Sequence, residues 1–372
     1  MKKIVLLLLI GVMIINGCEK SVDDATINVD AEILKEMQAE KIPSVVACVV
    51  KGDRIVWEGT YGYKDVANEE PANRQTIYTL MSISKLFISI SVMQLWEEGL
   101  IDLEDDINQY LPFEVRNPKF PDKKITSYML MTHRSGLAWP DPNEGIPEFY
   151  YFFPHEQVPL INEWLPDYIL PGGEQYRNNV WKNFAPGDEE LYSNIATPLL
   201  ALIVENISGM DYRDYCLENI LEPLEMFSTA FRINFLNEEL LATPYYDNNY
   251  PMQQYTYRHY PAGNLKTNLE DFSHFIIAFL NNGVYNGKRI LKTSSIKKMM
   301  GVQNPATGMS LLWSNCPGDC IGHSGGGTGF STRVEWYFDN QKGIFVFSNK
   351  VNNSVYPLGR IYELVRYQSN SF

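Results

Sequence analysis

Apolar and polar residues alternate most clearly near the two ends of this chain. SVVACVVKGDRIVWEGTYGY, from Ser44 to Tyr63, reads as a β-branched run, a Gly52-Asp53 turn and a second run alternating through Ile55, Trp57 and Gly59; together these predict a hairpin. A helical stretch that reaches Lys41 and is closed by Pro43 precedes it. STRVEWYFDNQKGIFVFSNK, from Ser331 to Lys350, predicts two more strands joined at Asp339-Asn340, with a helical tail from about Ser354 to Tyr367. Between the ends the period becomes helical. Residues 82 to 98 are apolar on most sides and stop at Gly99, the pattern of a buried helix. SNIATPLLALIVENISG carries Pro198 in an early turn and finishes at Gly209, and TNLEDFSHFIIAFLNNG opens with a capping box from Thr267 to Glu270 and ends at Gly283.

Strands at both ends with helices between them predict an α+β fold: an antiparallel sheet flanked by helices and built from both termini, with a large helical insertion. The expected division is a sheet domain from residues 31–80 plus 300–372 and a mostly helical domain from 81–299. The stretch from about 138 to 186 is full of proline and aromatic residues and is long for a plain connection. It could wall a substrate cleft or simply pack onto the helices.

Of the 372 residues the acidic ones are scattered, and the formal net charge is -14, so polyanions would be repelled and nucleic acid is not an expected partner. The first residues, Met-Lys-Lys followed by an apolar run from Ile4 to Ile15 and then Asn16-Gly17-Cys18, have the parts of a secretory signal and are short for a bilayer span. The expectation is a signal peptide over 1–17, a tether over 18–30, and export to the cell envelope. Ile15-Asn16-Gly17-Cys18 also resembles the lipobox of bacterial lipoproteins, which implies a lipid on Cys18 anchoring the protein to a membrane; the alternative is an ordinary signal with a chance cysteine. Export permits disulfides. Cys316-Pro-Gly-Asp-Cys320 closes a short turn that a bridge could span, but Cys48, Cys216, Cys316 and Cys320 allow three pairings. With no H-E-x-x-H, and no C-x-x-C near a histidine pair, neither a metal nor a cofactor is expected.

Two serines compete for the role of nucleophile. GHSGGGTGF, from Gly322 to Phe330, contains G-x-S-x-G around Ser324, the elbow of an α/β-hydrolase. That elbow needs a later histidine, yet of His133, His155, His259, His274 and His323 none follows Ser324. It also needs a helix directly after the serine, and GGGTGFSTRVEWYF is strand material. The second candidate is Ser82-Ile83-Ser84-Lys85. S-x-x-K recurs at Ser294 to Lys297 and at Ser295 to Lys298, but only Ser82 opens a buried apolar helix. In a first helical turn, Ser82 and Lys85 share a face, and burial lowers a lysine's pKa until it can take a proton. Tyr192-Ser193-Asn194 precedes the helix that holds Pro198. A phenolate beside a lysine ammonium is a credible base, and the Asn194 amide could hold both the lysine and a substrate carbonyl.

S-x-x-K, then Y-x-N, then His323-Ser324-Gly325 on a late strand resembles the serine β-lactamase and penicillin-binding protein superfamily, nearest its class C-like branch with related esterases and D-amino-acid peptidases. The likeness runs from about residue 30 to 368 and takes in LMTHRSGL, APGDEELYSN and YPAGNLKTNLEDFSHF. It implies a β-lactamase-like fold and a serine hydrolase acting through a Ser82 acyl-enzyme. Lys85 and Tyr192 would share base and acid duties, and Asn194 would position the substrate. His323, Ser324, Gly325 and Gly326 would line the site, with the N–H groups of Gly326 and Ser82 receiving the oxyanion. The substrate would be a small molecule or a peptide, cleaved at an ester or at a D-amino-acid amide. The chain departs from the family in having His-Ser-Gly where many members have Lys-Thr-Gly, which removes a fixed charge for a substrate carboxylate. Arg333 could replace that charge or be merely solvated; His133 is expected to hold the fold together, and His259 could line the cleft. The rival functions are a non-catalytic penicillin-binding or sensor module with this fold, and an esterase using Ser324.

Overall fold

The two ends of the chain build one sheet, three strands from the first and four from the last, joined where a strand of each pairs with the other. The computed structural model describes residues 27–139, 157–246, 249–316, 319–351 and 358–372. The expected signal peptide, Cys18 and His155 lie outside the described residues, as do most of the tether and part of the aromatic segment. The sheet contains β1 (Ser44–Lys51), β2 (Arg54–Asp65), β3 (Glu70–Pro71), β4 (Ser314–Cys316), β5 (Cys320–Gly327), β6 (Phe330–Tyr337) and β7 (Lys342–Ser348). Its order is β4-β5-β6-β7-β1-β2-β3, and β1 pairs antiparallel with β7, Val46 opposite Phe347. The family resemblance and the end-strand pattern thus predicted the fold correctly.

A central strand covered on both faces must be apolar on both. In β1, Val46, Cys48 and Val50 pack into the core shared with the helical part, whereas Val45, Ala47 and Val49 pack against the helices Val29–Ala39 and Gly359–Ser369. On the helical side, Leu269–Leu280 lies on the sheet through aromatic edges. The Phe272 ring sits 5.0 Å from Phe345, and Phe275 sits 5.7 Å from Trp336. Gly343 permits this approach, since a Cβ there would lie 2.2 Å from Ile276 Cγ2.

Two element ends differ from the sequence reading. Residues 81 to 84 form a single 3₁₀ turn, and the α-helix proper is Lys85–Glu97. The cap of Leu269–Leu280 is Asn268, whose side chain accepts from Asp271 N at 2.8 Å, rather than Thr267. Thr267 is taken up in a two-residue ladder with Tyr78, and its hydroxyl bonds to Thr229 at 2.7 Å. The tail helix is Gly359–Ser369, and the expected start near Ser354 lies outside the described residues.

Asn349, fully buried just after β7, ties the two parts of the sheet together. Its Oδ1 accepts from Ser44 N at 2.8 Å, and its Nδ2 donates to the carbonyls of Thr243 (3.1 Å), Lys64 (3.3 Å) and Tyr63 (3.4 Å). Asn349→Ala leaves an N–H and several carbonyls unpaired in the core. It should lower the unfolding free energy in a urea titration by about 2–4 kcal/mol; a loss under about 0.5 kcal/mol, the scale of a surface change, would contradict this role.

Candidate active site

The 3₁₀ turn carrying Ser82 begins with a strained residue. Met81 has φ +51°, a left-handed conformation uncommon for a side-chain-bearing residue. Leu80 holds it from both sides: its N–H donates to Leu265 O at 2.8 Å, and its carbonyl accepts from Thr332 Oγ1 at 2.7 Å. Strand β5 lies directly against this turn. At Gly325 a Cβ would fall 2.4 Å from Leu80 O and 2.8 Å from Met81 Cβ, so only glycine lets the strand come this close. Part of the glycine run is therefore a packing requirement that fixes Ser82 relative to β5.

Lys85 follows within one turn and is fully buried. Its amine lies 3.0 Å from Ser82 Oγ and donates to Ala262 O at 2.8 Å. Burial alone pushes its pKa well below the ordinary 10.5, because neither partner carries a negative charge to hold the ammonium. A neutral amine beside a serine hydroxyl can act as a proton acceptor. Tyr192 reaches the same oxygen from the other side, its hydroxyl 3.0 Å from Ser82 Oγ and its ring centroid 5.0 Å from Lys85 Nζ. Burial drives the Tyr192 hydroxyl up to about 12, against the opposing pull of the Ser82 hydrogen bond. The residue is 43 % exposed, which softens that rise without reversing it. These directions favour the expected lysine that can take a proton over the expected phenolate beside an ammonium. Burial disfavours the charged form of both groups, fully at Lys85 and less at the part-exposed Tyr192.

Asn194 is also placed differently from expectation. Its Oδ1 is buried without a hydrogen-bond partner, and the Ala262 carbonyl occupies the position at Lys85 that Asn194 was expected to fill. Asn194 instead lines a cavity of about 200 Å³ together with Ser82, Gly326, Trp139, Tyr257 and His259. His259 stacks on Tyr257 at 4.8 Å and meets Trp139 edge-on at 5.2 Å.

A second cavity, of about 500 Å³, opens on the other side of Tyr192 and is lined by His323, Ser324 and Arg333 among others. His323 Nδ1 sits 2.6 Å from the Ser324 carbonyl, so that nitrogen carries the proton. Burial first, then the proximity of Lys85, lowers its pKa to about 4, against the raising effect of that carbonyl. His323 is therefore neutral where the family motif has a cation, its one N–H spent on the Ser324 carbonyl and its Nε2 left as an acceptor. His133 accepts from Ser193 N at 3.3 Å and, through its carbonyl, from Leu191 N at 2.7 Å, clamping the segment that carries Tyr192. Burial holds the pKa values of His133 and His259 at about 3.

Two alternatives are overturned. Ser324 lies in mid-strand opposite Arg333, and β6 rather than a helix follows it, so the elbow reading of G-x-S-x-G fails. Arg333 is neither a free charge nor merely solvated. Its Nε and Nη2 donate to Glu335 Oε1 at 2.9 and 2.6 Å, and it stacks over the Tyr362 ring at 4.0 Å. Cys316 and Cys320 form a disulfide across the β4–β5 register, while Cys48 and Cys216 are buried free thiols. Cys316, Cys320 and Glu335 are the only cluster of three metal-ligating donors among the described residues, and both sulfurs are committed to the bridge. Trp139, from the aromatic segment expected to wall a cleft or pack onto the helices, lines the Ser82 cavity; sequence reasoning did not single out the Ala262 carbonyl and Tyr257, which join the site through long-range folding, or Glu335, which pairs with Arg333 along one strand.

Comparison with known proteins bears on the family and the fold. The Beta-lactamase family description matches residues 29–366. Protein flp of Staphylococcus aureus (strain MRSA252) is 26% identical over 343 residues, 90% of this chain and 65% of its own, so the chain spans slightly less than two thirds of that relative. Penicillin-binding protein 4* of Bacillus subtilis (strain 168) is 26% identical over 330 residues, covering 82% of this chain and 68% of that protein. Among solved structures, a class C beta lactamase from Rhodobacter sphaeroides superposes with a TM-score of 0.72 at 18% identity, covering 93% of this chain and 99% of the other. The octameric penicillin-binding protein homologue from Pyrococcus abyssi gives 0.71 at 22% identity, covering 92% and 77%. The two solved structures speak for the fold alone. With the family description matched over nearly the whole chain, this protein belongs to the beta-lactamase family.

Proposed function

We propose that this protein is a serine hydrolase that cleaves an ester, or an amide of a D-amino-acid peptide, through an acyl-enzyme on Ser82. The observation that carries this reading is the convergence of the Lys85 amine and the Tyr192 hydroxyl on Ser82 Oγ, each at 3.0 Å. In acylation, neutral Lys85 takes the Ser82 proton as Oγ forms its bond to the substrate carbonyl carbon. The oxyanion is received by the N–H groups of Ser82 and Gly326, and losing one such donor typically slows a reaction about 100- to 1,000-fold. Tyr192 then gives its proton to the leaving atom as that bond breaks, and the Lys85 ammonium returns a proton to the phenolate. Water retraces the path in deacylation, losing its proton to the same pair, which passes it to Ser82 Oγ. The net balance is one water consumed, one acid and one alcohol or amine released. The Lys-Lys start, the apolar run Ile4–Ile15 and Cys18 support action at the cell envelope from a lipid anchor.

A fluorophosphonate probe with an ester panel tests the nucleophile. Ser82→Ala should abolish labelling and turnover while Ser324→Ala keeps measurable labelling; the reverse would contradict the assignment. Wild-type labelling by a fluorescent penicillin that never decays would instead favour a sensor.

The lowered Lys85 pKa has a definite sign in stability. Above 10.5 the amine is neutral in both folded and unfolded chains; below it the unfolded lysine binds a proton that the buried one refuses, so the fold loses stability as pH falls from there toward the lowered value. Lys85→Met, close in volume, should cut turnover by about 100- to 10,000-fold. The same variant should raise the thermal midpoint at pH 7, with the gain closing as pH approaches 10.5. A lower midpoint with no pH dependence would contradict the neutral amine.

A further inference from the structure

Two cavities, one lined by Ser82 and one by Tyr192, can be assigned to the two halves of a substrate, if Ser82 is the nucleophile proposed above. The leaving atom must come within reach of the proton on Tyr192. Tyr192 and His323 line the cavity of about 500 Å³, whereas Asn194 and Gly326 line the smaller one. The leaving portion therefore occupies the larger cavity, and the acyl portion the smaller.

The charge of the larger cavity is set by one ion pair. Arg333 is the only lysine or arginine among the described residues lining it. Alternate residues of β6 share a face, so Arg333, Glu335 and Tyr337 form a ladder along the strand. Both Glu335 oxygens are used: Oε1 accepts the two Arg333 bonds, and Oε2 accepts from the Tyr337 hydroxyl at 2.6 Å. Glu335 is 5% exposed, so water does little to screen its hold on the guanidinium. A further carboxylate stands at the rim, where Thr307 lines the cavity and donates to Glu190 Oε2 at 2.8 Å. Among the described residues lining the cavity, no lysine or arginine is left unpaired to receive an anionic group.

We infer that Glu335 is a specificity-determining residue. By neutralising Arg333 it makes the leaving-group cavity select uncharged alcohols or amines and disfavour leaving portions that carry a carboxylate beside the scissile bond. The substrate class is then a neutral ester or amide rather than a peptide ending in a free acid at the cleaved residue. This rests on the Ser82 reading.

The test compares kcat/KM for phenyl acetate and 3-carboxyphenyl acetate, which share an acyl group and differ by one carboxylate. Wild type should favour phenyl acetate. Glu335→Gln, with a circular dichroism spectrum like wild type, should move the ratio toward the carboxylated ester by about tenfold, the scale of one partly screened charge interaction. Arg333→Gln keeps the glutamate and loses the cation, so it should move the ratio the opposite way; it also provides the reading if Glu335→Gln fails to fold. Unchanged ratios in the folded variants, or a wild-type preference for the carboxylated ester, would overturn the inference while leaving Ser82-dependent hydrolysis standing. Wild-type turnover of neither ester would overturn the Ser82 reading and this inference with it.

Discussion

One desolvated amine organises the site. Lys85 sits at the start of a helix that is buried on nearly every side, with a serine hydroxyl and a backbone carbonyl as its hydrogen-bond partners. An ammonium at that place would need a counter-charge to repay its lost hydration. Neither of those partners supplies one, so burial favours giving up the proton. The chemistry proposed at Ser82 follows from this, and so does the demand that the surrounding shell stay dry and exact. The strained Met81, the Leu80 tethers and the missing side chain at Gly325 all serve to hold the Ser82 turn against β5.

Neutrality extends outward from that amine. Tyr192 keeps its proton, and His133, His259 and His323 are held uncharged by the same burial. Arg333, which does carry charge, is cancelled by Glu335. In the proposed reading this site activates Ser82 without an electrostatic lure for anions, and the strongly acidic chain around it adds none. Such a site costs stability, because buried polar groups must be satisfied one by one. The core on both faces of β1 and the Asn349 clasp offset that cost from a distance.

The parts of the fold legible in the sequence were those written in local periodicity. The hairpin at Gly52-Asp53, the helix ending at Gly209 and the helix ending before Gly283 are each set by side-chain spacing and by a glycine at a positive φ, and they stand where the pattern put them. The order of the three motifs pointed to the family, and rejection of the Ser324 elbow needed only the positions of histidines and strands. What stayed hidden depended on contacts across the chain or on where a side chain turns within a strand. Thr267 looks like a helix cap until its backbone is seen pairing with Tyr78. Nothing near Ala262 announces that its carbonyl, 177 positions from Lys85, would take the amine that Asn194 was expected to hold. Arg333 reads as a spare cation until Glu335, two residues on, is placed on the same face with its carboxylate turned back.

The central claim concerns the charge on a single nitrogen, and that charge can be read directly. In protein carrying ¹³C-labelled lysine, the Lys85 ε-carbon resonance, assigned by its absence when residue 85 is replaced, is followed by NMR as pH is raised. This account predicts a chemical shift characteristic of the free amine at pH 7, with a titration midpoint well below 10.5. A resonance that stays in the ammonium position until pH reaches 10.5 or above would contradict it.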